Sequence, residues 1–190
     1  MRPGSVDAGR LLALRGWVVG LEEADHSIAQ QALKDALVIA RQHNDTALEL
    51  RALINSANVN YFQGDSTANL ENALQAIPLA LERMGLRAEV SARYTAVLSS
   101  DFVGARAQAS VMQPVAETIR DRYLIVTGIW LNQMLSNLEG DWMAARAFGD
   151  RGIEISPLDR RLLYSRIITE YELGDFSSGK VYLDQLAGIV

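Results

Sequence analysis

The chain has 190 residues, 49% of them hydrophobic and 22% charged, which suits one domain with a real core and is too apolar for disorder. A formal net charge of −5 argues against a nucleic-acid module, and only two of the 18 basic residues, Lys34 and Lys180, are lysine. The absence of cysteine excludes disulfides, thiolate metal sites and cysteine nucleophiles.

In chain order, "MRPGSVDAGRLLALRGWVVG" has an apolar stretch broken by Arg15 and no small-residue cleavage site, so it reads as a first helix over 6–19. No run is apolar enough for a membrane span, and a soluble, cytoplasmic protein is expected. After the acidic loop "GLEEADH", "SIAQQALKDALVIARQH" puts Ile28, Ala32, Leu33, Ala36, Leu37 and Ala40 on one helical face, which predicts a helix over 27–43. The following helices are expected over 46–62, 68–84, 87–99 and 103–121. "RYLIVTGIWLNQMLSNL" aligns Leu124, Gly128, Leu131, Leu135 and Leu138 and predicts a helix over 123–138, not a strand. Helices over 142–155, 159–173 and 176–187 complete five antiparallel pairs. The apolar face of the 159–173 helix runs through Leu163, Ile167 and Tyr171.

One turn is written several times. "SDFVGARAQA" at 100–109 and "GDWMAARAFG" at 140–149 share Asp, an aromatic, then small, Ala, Arg and Ala; "GDFSSGKVYL" and "GDSTANLENAL" repeat its start. Asp65, Asp101, Asp141 and Asp175 are separated by 36, 40 and 34 residues, a period of helix-pair solenoids. The motif has a physical logic. Glycine ends a helix in the left-handed region and Asp caps the next. The aromatic is expected to fill the elbow, and Ala105, Ala145 or Gly179 lets two helices approach. Pro157 punctuates the fourth pair. Pro78 and Pro114 each fall 13 residues after their Asp, so the second helices of repeats two and three should be longer and kinked.

The repeats resemble tetratricopeptide repeats, best over 123–186, where Ala145 and Pro157 take the small and closing-proline positions. The resemblance implies an all-α, right-handed superhelix of five helix pairs (repeats 6–43, 46–84, 87–121, 123–157 and 159–188) in a single domain, 1–190. More narrowly, "IRDRYLIVTGIWLNQMLSNLEGDWMAARAFGDRGIEISPLDRRLLYSRIITEYELGDFSSGKVYLDQL" is similar to the repeat region of LuxR-type ATP-dependent transcriptional regulators and of related adenylate or guanylate cyclases. That likeness implies a regulatory region of a bacterial signalling protein; a free-standing adaptor, scaffold or chaperone-like protein is the alternative. The sequence contains no phosphate loop of the form GxxxxGK[ST].

Enzyme readings find no support. His26 and His43 lie 17 residues apart, about 25 Å along one helix, too far to share a metal. Glu170 and Glu172 are two apart and point in different directions. No hydrolase elbow or dinucleotide fingerprint occurs, and no cofactor is implied.

A solenoid's concave face is lined by the first helix of each pair. The polar and aromatic residues that interrupt those helices are Asn58, Tyr61, Arg93, Tyr94, Trp130, Asn132, Gln133, Tyr164 and Arg166. They are the candidates for binding a protein, a peptide or a small effector, with no direct nucleic-acid or membrane contact. The C-terminal "VYLDQLAGIV" carries Tyr182, Leu183, Leu186, Ile189 and Val190 where a polar cap is expected. That end should continue into a longer array or self-associate with another chain.

Overall fold

A computed structural model describes residue 2 and residues 4–23, 25–98 and 100–189. Among these the protein is all-α, with no strand. The helices are α1 (Val6–Leu21), α2 (His26–His43), α3 (Thr46–Gln63), α4 (Ser66–Leu79), α5 (Leu86–Val97), α6 (Phe102–Ile119), α7 (Arg122–Glu139), α8 (Trp142–Ile155), α9 (Arg160–Glu172) and α10 (Phe176–Ala187). A π-helical turn, Ala80–Met84, extends α4.

The repeated turn does the work its chemistry suggests. Gly64, Gly140 and Gly174 have φ of 83°, 76° and 73°, and the next residue of each, Asp65, Asp141 or Asp175, accepts the N–H three positions on. The joint is also more general than its glycine version. Asn44 (φ 53°) and Arg120 (φ 57°) precede the capping residues Asp45 and Asp121, so the same geometry links one pair to the next. Ala105, Ala145 and Gly179 are buried, as close helix approach requires. The aromatic differs from expectation. Trp142 is half-buried, but Phe102 and Phe176 are exposed, and Phe176 meets the Tyr171 ring edge-on at 5.6 Å.

Pro78 lies inside α4 and Pro114 inside α6; α6, with 18 residues, is longer than α8 and α10, whereas α4 matches the 14 residues of α8 and exceeds it only through its π-helical turn. After Pro78, which offers no N–H to the previous turn, the helix widens into the π turn before Gly85 ends it. Expected and observed boundaries agree within about two residues; Asp121 and Asp159, expected inside helices, are instead N-caps. The predicted end of α5 at Ser99 lies outside the described residues.

The chain divides into two compact units, Met1–Asp101 and Phe102–Val190, with the division falling between the two helices of the third predicted pair. In unit 1, α1 packs on α2, α2 on α3, α3 on α4 and α4 on α5. The alternate helices also touch, α1 with α3 and α3 with α5. Its interior is rich in alanine, with Ala57, Ala73, Ala76, Ala92 and Ala96 around Leu50 and Leu53 in one cluster. In unit 2, α6 packs on α7, α7 on α8, α8 on α9 and α9 on α10, and α7 touches α9. Its apolar cluster around Val126, Ile129 and Leu162 is smaller. Predicted face residues at the helix ends, Ile28, Leu138 and Tyr171, are exposed.

Two caps of unit 2 give it an acid-sensitive margin. Burial pushes Asp159 up, but the Arg161 guanidinium and two backbone N–H groups outweigh it and hold the carboxyl below its ordinary 3.8. Asp175 is lowered by the Ser178 N–H and by the Ser178 and Ser177 hydroxyls. A carboxyl lowered by folding contributes stability above its unfolded pKa and loses it as pH falls through the folded value. Urea unfolding of unit 2, followed by tryptophan fluorescence, should therefore be independent of these groups above about pH 5. It should weaken below about pH 4, with a shallower acid slope in Asp159→Asn. An unchanged slope would remove Asp159 from the account.

Candidate functional site

In unit 1 the first helices α1, α3 and α5 lie side by side, and a groove of about 410 Å³ opens between α3 and α5. Arg51, Ile54 and Asn55 line one wall and Arg87 and Ser91 the other, with Met84 at the rim. Asn55 is anchored by donating its Nδ2 to the Ala13 carbonyl of α1 (3.1 Å), and the Ser91 hydroxyl donates to the Arg87 carbonyl (3.1 Å). Two guanidiniums and no carboxylate line the groove, although the chain as a whole is acidic. Asn58 follows Arg51 by two helical turns and Tyr94 follows Arg87 by the same interval, so these two candidates continue the groove's stripes.

Arg93 and Tyr61 lie elsewhere. Arg93 pairs with Glu89 on its own helix (2.8 Å), with both side chains largely covered. Tyr61 is exposed and packs edge-on against Phe62 at 5.4 Å.

In unit 2 the candidates separate sharply by burial. Tyr164 is 60% exposed. Trp130 is half-buried, with the Arg161 guanidinium 5.3 Å from its ring centroid and 5.5 Å from that of Tyr123. Asn132, Gln133 and Arg166, expected on a solvent-facing groove, are buried. The reason is helix spacing. Gly149 on α8 has no side chain, and the space its Cβ would take is filled by Arg166 and Gln133. Asn132 donates to the Gly128 carbonyl (2.9 Å) and accepts from Arg106 (3.1 Å). Arg166 pairs with Glu170 (2.8 Å) and Asp150 (3.0 Å), and its guanidinium lies over the Tyr182 ring, whose hydroxyl it also contacts at 3.2 Å.

Glu170 is completely buried and also takes bonds from Arg146, whose pKa that contact raises against the opposing effect of burial. These residues hold α7, α8, α9 and α10 together. Their break in the apolar pattern marks a polar core and not a binding face. The Gln133 amide and two of the Arg166 nitrogens have no hydrogen-bond partner there.

At the C-terminal end Tyr182 is thus engaged by Arg166, and Leu183 is exposed beside a shallow hollow lined by Ile167, Tyr171, Phe176 and Gly179. Val190 lies outside the described residues. His26 and His43 stand at opposite ends of α2, with the His43 ring 2.9 Å from the Gly4 carbonyl oxygen. Sequence reasoning passed over Arg51 and Arg87, since a lone arginine on a helix is ordinarily a solvated charge. Only the packing of α3 beside α5 shows that they share a groove. No family model matches the chain, and no curated protein matches it.

Proposed function

We propose that the protein is a non-catalytic interaction module of the tetratricopeptide-like kind, whose first-helix groove in unit 1 receives an acidic segment of a protein or peptide. The groove with two guanidiniums and no carboxylate, set in an otherwise acidic chain, carries this reading. The repeated αL–Asp joint and the contact of alternate helices within each unit support the architecture. The recognition mechanism is preformed: Arg51 and Arg87 supply charge, Asn58 supplies amide bonding and Tyr94 an amphipathic surface.

The likeness of the repeats to those of LuxR-type regulators and cyclases supports a regulatory role within a bacterial signalling protein. A phosphate-loop ATPase, a cyclase or a DNA-binding segment in the parent chain would favour that role over a free-standing adaptor.

The test is a fluorescence-anisotropy titration with labelled peptides of alternating Glu and Ala or of alternating Lys and Ala. The acidic peptide should bind more tightly, and more weakly as salt rises. Reversing both charges, Arg51→Glu with Arg87→Glu, should cost about tenfold or more in affinity while thermal unfolding stays close to wild type. Equal affinity for the two peptides, or an unaffected double variant, would overturn the groove assignment.

A further inference from the structure

The second helices of unit 1 frame a separate opening. α2 and α4 both run antiparallel to α3, and a cleft of about 450 Å³ lies between them with α3 as its floor. Its polar side chains form a directed chain of hydrogen bonds. Gln30 donates to the Ser56 carbonyl (3.2 Å) and to the Asn60 side-chain oxygen, and the Ser56 hydroxyl donates to Gln30 Oε1 (2.7 Å). Asn72 donates to Ser56 Oγ (3.3 Å). Three turns further along α2 than Gln30, Arg41 pairs with Glu49 (2.9 Å) and donates to Gln75 Oε1 (3.3 Å).

The direction of this chain decides what a guest would meet. The oxygens of Gln30, Ser56, Asn60 and Gln75 each already accept one bond, while the Gln75 and Asn72 amides and the Arg41 guanidinium keep N–H groups that a guest oxygen can use. Lys34 lines the same wall and makes no hydrogen bond or ion pair among the described residues. Asp65 is the one acid in the lining, and it is occupied in capping α4 through the Ala68 N–H.

With Arg41 balanced by Glu49 and Asp65 engaged as a cap, the Lys34 ammonium is the lining charge left to meet an anion, and one ammonium suits a monoanion better than a phosphate dianion. Leu33 and Leu37 of the α2 wall and Leu53 of the α3 floor provide apolar surface. Lys34 and Arg41 stand two helical turns apart, about 10 Å, which about three extended residues span.

We propose that this cleft binds an organic carboxylate carried beside an amide, as at a peptide C-terminus or in an N-acyl amino acid. The carboxylate meets the Lys34 ammonium, and the neighbouring amide carbonyls accept from Asn72 and Gln75.

Isothermal titration of the whole chain with acetyl-trialanine, as the free acid and as its C-terminal amide, tests this. The acid should bind at least about tenfold more tightly than the amide. Lys34→Gln should abolish that difference without altering the melting temperature, because Lys34 is exposed. Acetyl-alanine binding as tightly as acetyl-trialanine would identify the ligand as an N-acyl amino acid, and weaker binding would identify a peptide end.

Equal binding of acid and amide, an acid preference that survives Lys34→Gln, or no saturable binding at millimolar concentration would overturn the proposal. The Arg51→Glu with Arg87→Glu variant should leave this titration unchanged, and a loss there would overturn the placement in the α2–α4 cleft.

Discussion

Glu170→Ala is expected to destabilise unit 2 by about 3–5 kcal/mol, the cost of removing one partner from a buried ion pair. Glu170 is fully buried and accepts from two guanidiniums, Arg146 of α8 and Arg166 of its own helix. Truncation would leave the covered Arg166 with only Asp150, whose side chain is half-exposed, to balance it. A vacated volume between α8 and α9 would add a packing loss.

Urea denaturation followed by fluorescence, which reports unit 2 through Trp130 and Trp142, measures the effect; Trp17 reports unit 1, where no comparable change is expected. Glu170→Gln keeps the shape and removes the charge, so it should fall between wild type and Glu170→Ala. A loss below about 1 kcal/mol in Glu170→Ala would show that the polar core of unit 2 contributes little, as exposed pairs do.

Gly16→Ala should destabilise unit 1 by about 2–3 kcal/mol, the cost of overpacking a tight interface. A glycine-to-alanine change inside an exposed helix ordinarily gains about 1 kcal/mol through propensity, so the sign is diagnostic. A Cβ on Gly16 would sit 2.5 Å from Leu33 Cγ and 2.9 Å from the Ala29 carbonyl oxygen. The leucine can shift, but the carbonyl belongs to the α2 backbone and moves only with the helix.

Gly9 and Gly20 lie on the same face of α1, and a Cβ added at either would sit 2.6 Å from Leu48 or Val59 of α3, so displacing α1 would loosen both of its interfaces. A raised melting temperature in Gly16→Ala would contradict this close approach. A lowered one in Gly16→Ala beside an unchanged one in Gly64→Asn, at a left-handed turn with open space, would confirm it.

The helices and their joints were readable because their causes are local. An aspartate caps the N–H three residues ahead, and a left-handed residue needs only its own φ, so a few consecutive residues specify the turn. The glycine-free joints at Asn44–Asp45 and Arg120–Asp121 escaped notice because the left-handed residue there carries a side chain, although Asn at such a position is an available signal. Apolar spacing located the buried faces of α2 and α7 except at their terminal turns. The candidate site was far less legible. Asn58 and Tyr94 continue the groove stripes, whereas Asn132, Gln133 and Arg166 went inside.

Local patterns were enough to specify an all-helical chain, the approximate bounds of its helices, and the αL–Asp hinge between them. Tertiary structure alone decided which polar side chains meet solvent, that Arg51 and Arg87 line one groove, and that the chain divides between α5 and α6. The physical reason lies in the difference between capping and burial. A cap closes within one turn, but a side chain's exposure depends on how near the facing helix comes, and residues far away in sequence set that distance. Gly149 is the clearest instance: its missing side chain on α8 is what allows an arginine from α9 and a glutamine from α7 to occupy the interior.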